Sequence, residues 1–178
     1  MLDIYTDMTL QCATFGGHVE VLEMDELAAL SQAVTSDEID QRIKLFEQEF
    51  DVQADCNKYD LGLAARTSVA LDRLVDKHKL GSMAYYFQSV PGHVHEDIIS
   101  SIILGSSLLT ARGTPIAGEY EIKNAQAMKI MDSFGAGGSF TEYYAADFND
   151  DAVLMGHDGP GHSRIAQGKT KVRPLQVF

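Results

Sequence analysis

Glu119, Glu142 and His157 occupy three turn-like settings: Ala117-Gly118-Glu119-Tyr120, Ser139-Phe140-Thr141-Glu142-Tyr143 and Met155-Gly156-His157-Asp158. Two carboxylates and an imidazole suit Mn²⁺ or a similar divalent ion, because oxygen ligands hold a hard cation and one nitrogen favours the transition series. Their separations match no compact metal motif such as H-E-x-x-H. Spacing alone therefore leaves a plainer arrangement open, in which Glu119 caps a helix, Glu142 is a solvated strand residue and His157 belongs to a hairpin.

For the three to act together, the intervening elements must bring three turns to one place. His18-Val19-Glu20-Val21-Leu22-Glu23 alternates after Gly16-Gly17 and predicts a strand with one buried face. Met24 to Val34 predicts a helix, and Ser36 is positioned to cap a second one carrying Ile39, Ile43, Phe46 and Phe50 on one stripe. Asp60 to Leu80 predicts a long amphipathic helix with Lys77, His78 and Lys79 at the negative end of its dipole and Gly81 as C-cap. Ser82 to Phe87 is a short, apolar, aromatic run expected as a buried strand. A helix over Asp97 to Leu109 and an extended piece over Thr114 to Ala117 follow. The last helix runs from Glu121 to Phe134, with Ile122, Ala125, Met128, Ile130 and Met131 inward and Gly135 stopping it.

The order β-α-α-α-β-α-β-α defines an α/β class. Beyond Gly135-Ala136-Gly137-Gly138 the pattern changes to strand-like runs: Ser139 to Ala145, Asp151 to Met155 and Lys171 to Phe178. The expected division is an α/β domain over 1–135 and the beginning of a β-rich domain over 136–178, with the glycines as hinge. Because the chain stops inside its third run, it reads as a fragment of something longer.

Composition narrows the field. The 178 residues, 45% hydrophobic and 22% charged, are enough to bury a sizeable core without disulfides or a structural metal. A net charge of −12 repels phosphate backbones and anionic headgroups, so neither nucleic acid nor a membrane surface is an expected partner. Cys12 and Cys56 form no C-x-x-C, and the acidic amino terminus lacks the basic patch of a secretory signal, which points to the cytoplasm. Ile98 to Leu109 is far shorter than the ~20 apolar residues that span a bilayer. Among rival sites, His93-Val94-His95-Glu96-Asp97 looks metal-like, but Glu96 and Asp97 suit the first turn of a helix and leave both histidines in the loop before it. Asn149-Asp150-Asp151 lacks a full calcium-loop pattern and reads as a hairpin turn. Gly135 to Gly138 follows a helix, whereas phosphate cradles follow strands.

Ala117-Gly118-Glu119-Tyr120-Glu121-Ile122-Lys123, Gly137-Gly138-Ser139-Phe140-Thr141-Glu142-Tyr143 and Val153-Leu154-Met155-Gly156-His157 resemble, in order and approximate spacing, three successive signatures of the L-arabinose isomerase family, within the L-arabinose/L-fucose isomerase superfamily. The resemblance implies a Rossmann-like parallel sheet flanked by helices before Glu119. It also implies that Glu119, Glu142 and His157 bind a catalytic Mn²⁺, that the two glutamates form the acid/base pair of aldose–ketose isomerisation, and that Phe140 lines a sugar pocket. Subunit association into a homo-oligomer is expected on the same ground. Family enzymes also carry an amino-terminal domain and a longer carboxy-terminal domain with a fourth ligand, a histidine. After His157, the stretch Asp158-Gly159-Pro160-Gly161-His162 departs from the arabinose isomerase pattern, with His162 expected to sit exposed after a Gly-Pro-Gly turn. The alternative expectation is a catalytically inactive α/β module that associates with itself or with a partner.

Overall fold

The computed structural model describes residues 6–93 and 95–174. The chain begins with α1 (Met8–Phe15), a helix that the sequence pattern does not announce; Asp7 caps it by accepting from the Leu10 N–H, and it buries no side chain. His18 to Glu23, expected as a strand, takes part in no strand pairing among the described residues. Its half-buried Leu22 leans on a helical core instead of a neighbouring strand, so alternation is present without a ladder.

Next come α2 (Met24–Gln32) and α3 (Ser36–Glu49). Thr35, one residue before the expected Ser36, is the N-cap of α3, and it forms a capping box with Glu38. After the short strand β1 (Asp51–Val52), α4 (Lys58–His78) is capped by Asn57 and closed by Lys79 in the left-handed conformation, two residues before the expected Gly81. The central helix α4 packs against α2, α3 and α6 (Ile102–Ala111). Its buried row includes Ala65, Ser68, Ala70, Leu71 and Leu74. Small residues make the contact with α6 close: a Cβ placed on Gly105 would lie 2.7 Å from the Ser68 Cα.

Between α4 and α6 lie β2 (Met83–Ala84) and α5 (Glu96–Ser100). The single helix expected over 97–109 is broken at Ser101. The Ser101 hydroxyl stands 2.7 Å from the Thr67 hydroxyl and donates to the Asp97 carbonyl, competing for the acceptor that a continuous helix would use. Beyond α6 come β3 (Ile116–Ala117) and α7 (Ile122–Ser133). Ala125 and Met128 of α7 are buried as expected; Ile130 and Met131, expected inward, are 40% and 45% exposed. With neighbours on one side only, α7 has a buried stripe too narrow to include them.

Strands β2 and β3 pair in parallel, with Met83 opposite Ile116 and Ala84 opposite Ala117. The remaining elements are β4 (Glu142–Asp147), β5 (Ala152–Gly156), a 3₁₀ turn at Ser163–Ile165 and β6 (Lys171–Val172). Strand β6 returns to pair in parallel with β1, whereas β4 and β5 form an antiparallel hairpin with a bulge between Tyr143 and Ala145. The architecture is α/β, with short parallel pairs flanked by helices. The end of the expected 171–178 run, Leu175 to Phe178, lies outside the described residues. Among the described residues, no helix is long and apolar enough to cross a membrane.

One small cluster sets the stage for the site. Ala117, Ala125, Met128 and Phe140 are buried together with Ala84 beside them, so β2, β3, α7 and the stretch after the glycines share one core. Gly135 and Gly137 turn the chain through positive φ values of 73° and 69° between α7 and Phe140.

Candidate active site

Glu119 sits on a strained turn at the carboxyl end of β3. The Glu121 N–H donates to the Gly118 carbonyl at 3.0 Å, and the two residues between, Glu119 and Tyr120, have φ of 58° and 64°. Two positive φ values inside a four-residue hydrogen-bonded turn are the mark of type I′, a conformation that glycine or asparagine adopts most easily. Each side chain held there costs about 1–2 kcal/mol, and strain of this kind gathers at functional sites. The Tyr120 N–H donates to the Tyr85 carbonyl at 2.8 Å, tying the turn to the end of β2. Glu121, not Glu119, is the N-cap of α7, so the helix-cap reading of Glu119 falls.

Of the other expected residues, His157 and Phe140 lie beside that turn. His157 follows the end of β5, and its ring stands edge-on to the buried Phe140, with centroids 4.5 Å apart and planes at 85°. A Cβ on Gly118 would lie 3.6 Å from His157 Nε2 and 3.6 Å from Phe140 Cε1, so both rings reach the residue beside Glu119. Glu142 opens β4 opposite Gly156, two residues before Tyr144, whose phenol pKa its carboxylate helps to raise. Tyr144 stands at the hairpin bulge, with its ring so near Gly156 that a Cβ there would lie 3.0 Å from its Cε2.

Charge knits the group together. Burial raises the Tyr85 phenol pKa, and the carboxylates of Asp158 and Glu119 push it further in the same direction, so this hydroxyl keeps its proton. Tyr144 is likewise raised, by desolvation and by the carboxylates of Glu142, Asp158 and Glu119. His157 moves the other way: burial lowers its pKa against the opposing pull of Glu142, Asp158 and the Pro160 carbonyl. A neutral imidazole, two phenols that remain donors and three carboxylates thus share one neighbourhood. The arrangement can donate to and accept from the oxygens of a polyol. Its donor types suit a divalent ion, but among the described residues no three His, Cys, Asp or Glu side chains converge closely enough to enclose one.

Tyr85, Tyr144 and Asp158 were not singled out by motif reasoning. Tyr144 lies two residues beyond Glu142, on the same side of a strand by simple alternation, and Asp158 adjoins His157, so both had a local signal. Tyr85 had none beyond its aromatic strand. His162, expected exposed, is half-buried against Gly137, and its Nδ1 is buried without a hydrogen-bond partner among the described residues. The rival sites behave as expected: His95 contacts Asp25 at 2.9 Å in the loop before α5, and Asp147 Oδ1 accepts from the Asn149 and Asp150 N–H groups in the hairpin turn.

The fold and this cluster define an α/β domain whose strand-end turn at Gly118–Glu119 lies beside Phe140 and the His157 that ends a β-hairpin. The family model described as the L-arabinose isomerase central domain matches residues 7–137, and the chain belongs to that family. The L-arabinose isomerase of Saccharophagus degradans is 25% identical over 169 residues, covering 89% of this chain and 33% of the relative. The chain thus spans about a third of the length of the curated relative it matches. Glu119 lies within the matched stretch of the family model; Phe140, Glu142 and His157 lie beyond its last matched residue.

Proposed function

We propose that this chain forms the middle part, and the opening of the β-rich part, of a metal-dependent aldose–ketose isomerase of the cytoplasm, acting on a small sugar within a homo-oligomer. The observation that carries the proposal is that His157 and Phe140 stand beside the Gly118–Glu119 turn, each with an atom 3.6 Å from where a Gly118 Cβ would lie, while the charges of Glu142 and Glu119 act on the same tyrosine, Tyr144. Moving hydrogen between C1 and C2 of an open-chain sugar needs a base near the carbon acid and an acid at the carbonyl oxygen. Glu119 and Glu142 take these two parts. Phe140 forms an apolar wall, and Tyr85 and Tyr144 donate to sugar hydroxyls. Glu119, Glu142 and His157 would hold Mn²⁺ or a related ion, drawn from their present spacing onto one centre. Such an ion supplies Lewis-acid polarisation of neighbouring sugar oxygens.

A second reading is a catalytically silent module that keeps these residues and associates with itself or with a partner. It is favoured by the incomplete convergence of the ligands among the described residues. Calorimetric titration with Mn²⁺ separates the two. The isomerase reading expects one ion bound by the wild type and affinity lost in Glu142→Gln; no binding by either, or equal binding by both, overturns it. A ketose-forming assay over L-arabinose, other pentoses and 6-deoxyhexoses then tests turnover, with metal-dependent product expected.

A further inference from the structure

The stretch Asp158-Gly159-Pro160-Gly161-His162, where this chain parts from the pattern it otherwise resembles, folds back over His157. The Gly159 N–H donates to His157 Nδ1 at 3.1 Å. The backbone lies so close to the ring that a Cβ on Gly159 would stand 2.3 Å from Cε1 and 2.9 Å from Nδ1, distances no side chain can occupy. Phe140 stands edge-on to the same ring, and Gly118 lies beside it. The loop is itself fastened at two points. The Gly161 N–H donates to Ser107 Oγ at 3.1 Å, and that hydroxyl donates to the Ile103 carbonyl one turn back in α6. The His162 N–H donates to Ser139 Oγ at 3.2 Å, and a Cβ on Gly137 would lie 2.9 Å from the ring of His162. Pro160 limits the freedom of the chain between these anchors.

We infer that this loop is a clasp on His157, and that Gly159 is a positioning residue which fixes the imidazole proton on Nε2. The inference rests on the reading of His157 as a site residue. A neutral imidazole carries one N–H, so a ring whose Nδ1 accepts a hydrogen bond must carry its proton on Nε2. In the ion-free protein His157 therefore carries its N–H on Nε2, the nitrogen a proposed ion would take. Ligation through Nε2 requires the opposite tautomer, whose Nδ1–H would meet the Gly159 N–H donor to donor. Holding an ion through that nitrogen thus demands that the clasp open, and the loop, through Ser107, couples ligand readiness to α6.

Long-range ¹H–¹⁵N correlation spectra of the ion-free full chain, recorded where imidazoles are neutral, test this directly. His157 is expected as the Nε2–H tautomer. Gly159→Ala is expected to lose that preference while the other five of the six histidines keep their signals. Ser107→Ala, which frees one anchor and leaves Gly159 in place, is expected to shift the balance less. A wild-type His157 in the Nδ1–H form overturns the inference, as does an unchanged His157 tautomer in a folded Gly159→Ala. Should Gly159→Ala fail to fold, the wild-type and Ser107→Ala spectra decide alone. Neither sugar nor metal enters the measurement, so a chain that shows the Nε2–H form but binds no Mn²⁺ sinks the isomerase reading and leaves the clasp standing.

Discussion

Tyr120 illustrates what a single residue contributes to presenting Glu119. Its left-handed backbone costs about 1–2 kcal/mol relative to a relaxed residue, and its half-exposed ring recovers little of that through burial. Tyr120→Gly removes the strain, offset by the greater freedom of glycine in the unfolded chain, and is expected to raise the unfolding free energy by about 1 kcal/mol. Urea denaturation followed by far-UV circular dichroism measures the difference; a loss of stability would mean the turn is held by contacts stronger than its strain. At this scale the sequence shows which residues could do chemistry but not how they are held. Glu119, Glu142 and His157 were legible as types and motifs, whereas two consecutive positive φ values at Glu119 and Tyr120 are not, since neither residue is one that favours them. Gly159 carries the same lesson: a glycine in a Gly-Pro-Gly string reads as a turn former, and its close approach to His157 emerges only in three dimensions.

The helices are where local signals speak most clearly, and α3 shows why. Glu38 accepts from the Thr35 N–H and hydroxyl and from Arg73, which together lower its pKa from about 4.5 to about 2, with the Thr35 backbone as the largest cause. A carboxylate depressed on folding lends stability that is complete above its unfolded pKa and disappears as pH falls through the folded one. The stability of wild type relative to Glu38→Gln is therefore expected to be greatest above about pH 4.5 and to shrink to nothing near pH 2. Paired urea titrations across that range check it, and a difference independent of pH would show that the capping carboxylate is not the titrating group. The box itself was half-read from sequence: the cap was placed at Ser36, one residue late, because Thr35 and Ser36 offer equivalent hydroxyls. The Ser101 break was missed for a different reason. The apolar run from Ile98 to Leu109 satisfies helical spacing throughout, and only the tertiary contact with Thr67 gives Ser101 cause to interrupt it.

Across the whole molecule, burial is unevenly spread, and its distribution bears on function. The helical body around α4 buries Ala65, Ser68, Ala70 and Leu71 completely, whereas α1 buries nothing and the β4–β5 hairpin exposes Tyr143, Phe148, Val153 and Leu154. The α/β order was legible because the helices announce themselves by their stripes. The runs around β2 to β6 were also marked in the sequence, whereas β1 and its pairing with β6 were not, because that pair is two residues long and its second strand returns from the far end of the chain. Half of the candidate site rides on the rigid body through β3, and half on the exposed hairpin and its clasp loop. Regions with few buried contacts open at low free-energy cost, so the two halves differ in local stability. Amide hydrogen exchange is expected to show α4 and α6 opening only with global unfolding, and residues 142–156 exchanging much sooner. Adding Mn²⁺ is then expected to slow exchange at Gly118 to Tyr120 and through the hairpin, while leaving α4 unchanged, because an ion held jointly by Glu119, Glu142 and His157 ties the weaker half to the stronger. Protection that rises in the hairpin but not at the Gly118–Tyr120 turn would place any bound ion on the hairpin alone and break the link between the two halves on which the proposed isomerase chemistry depends.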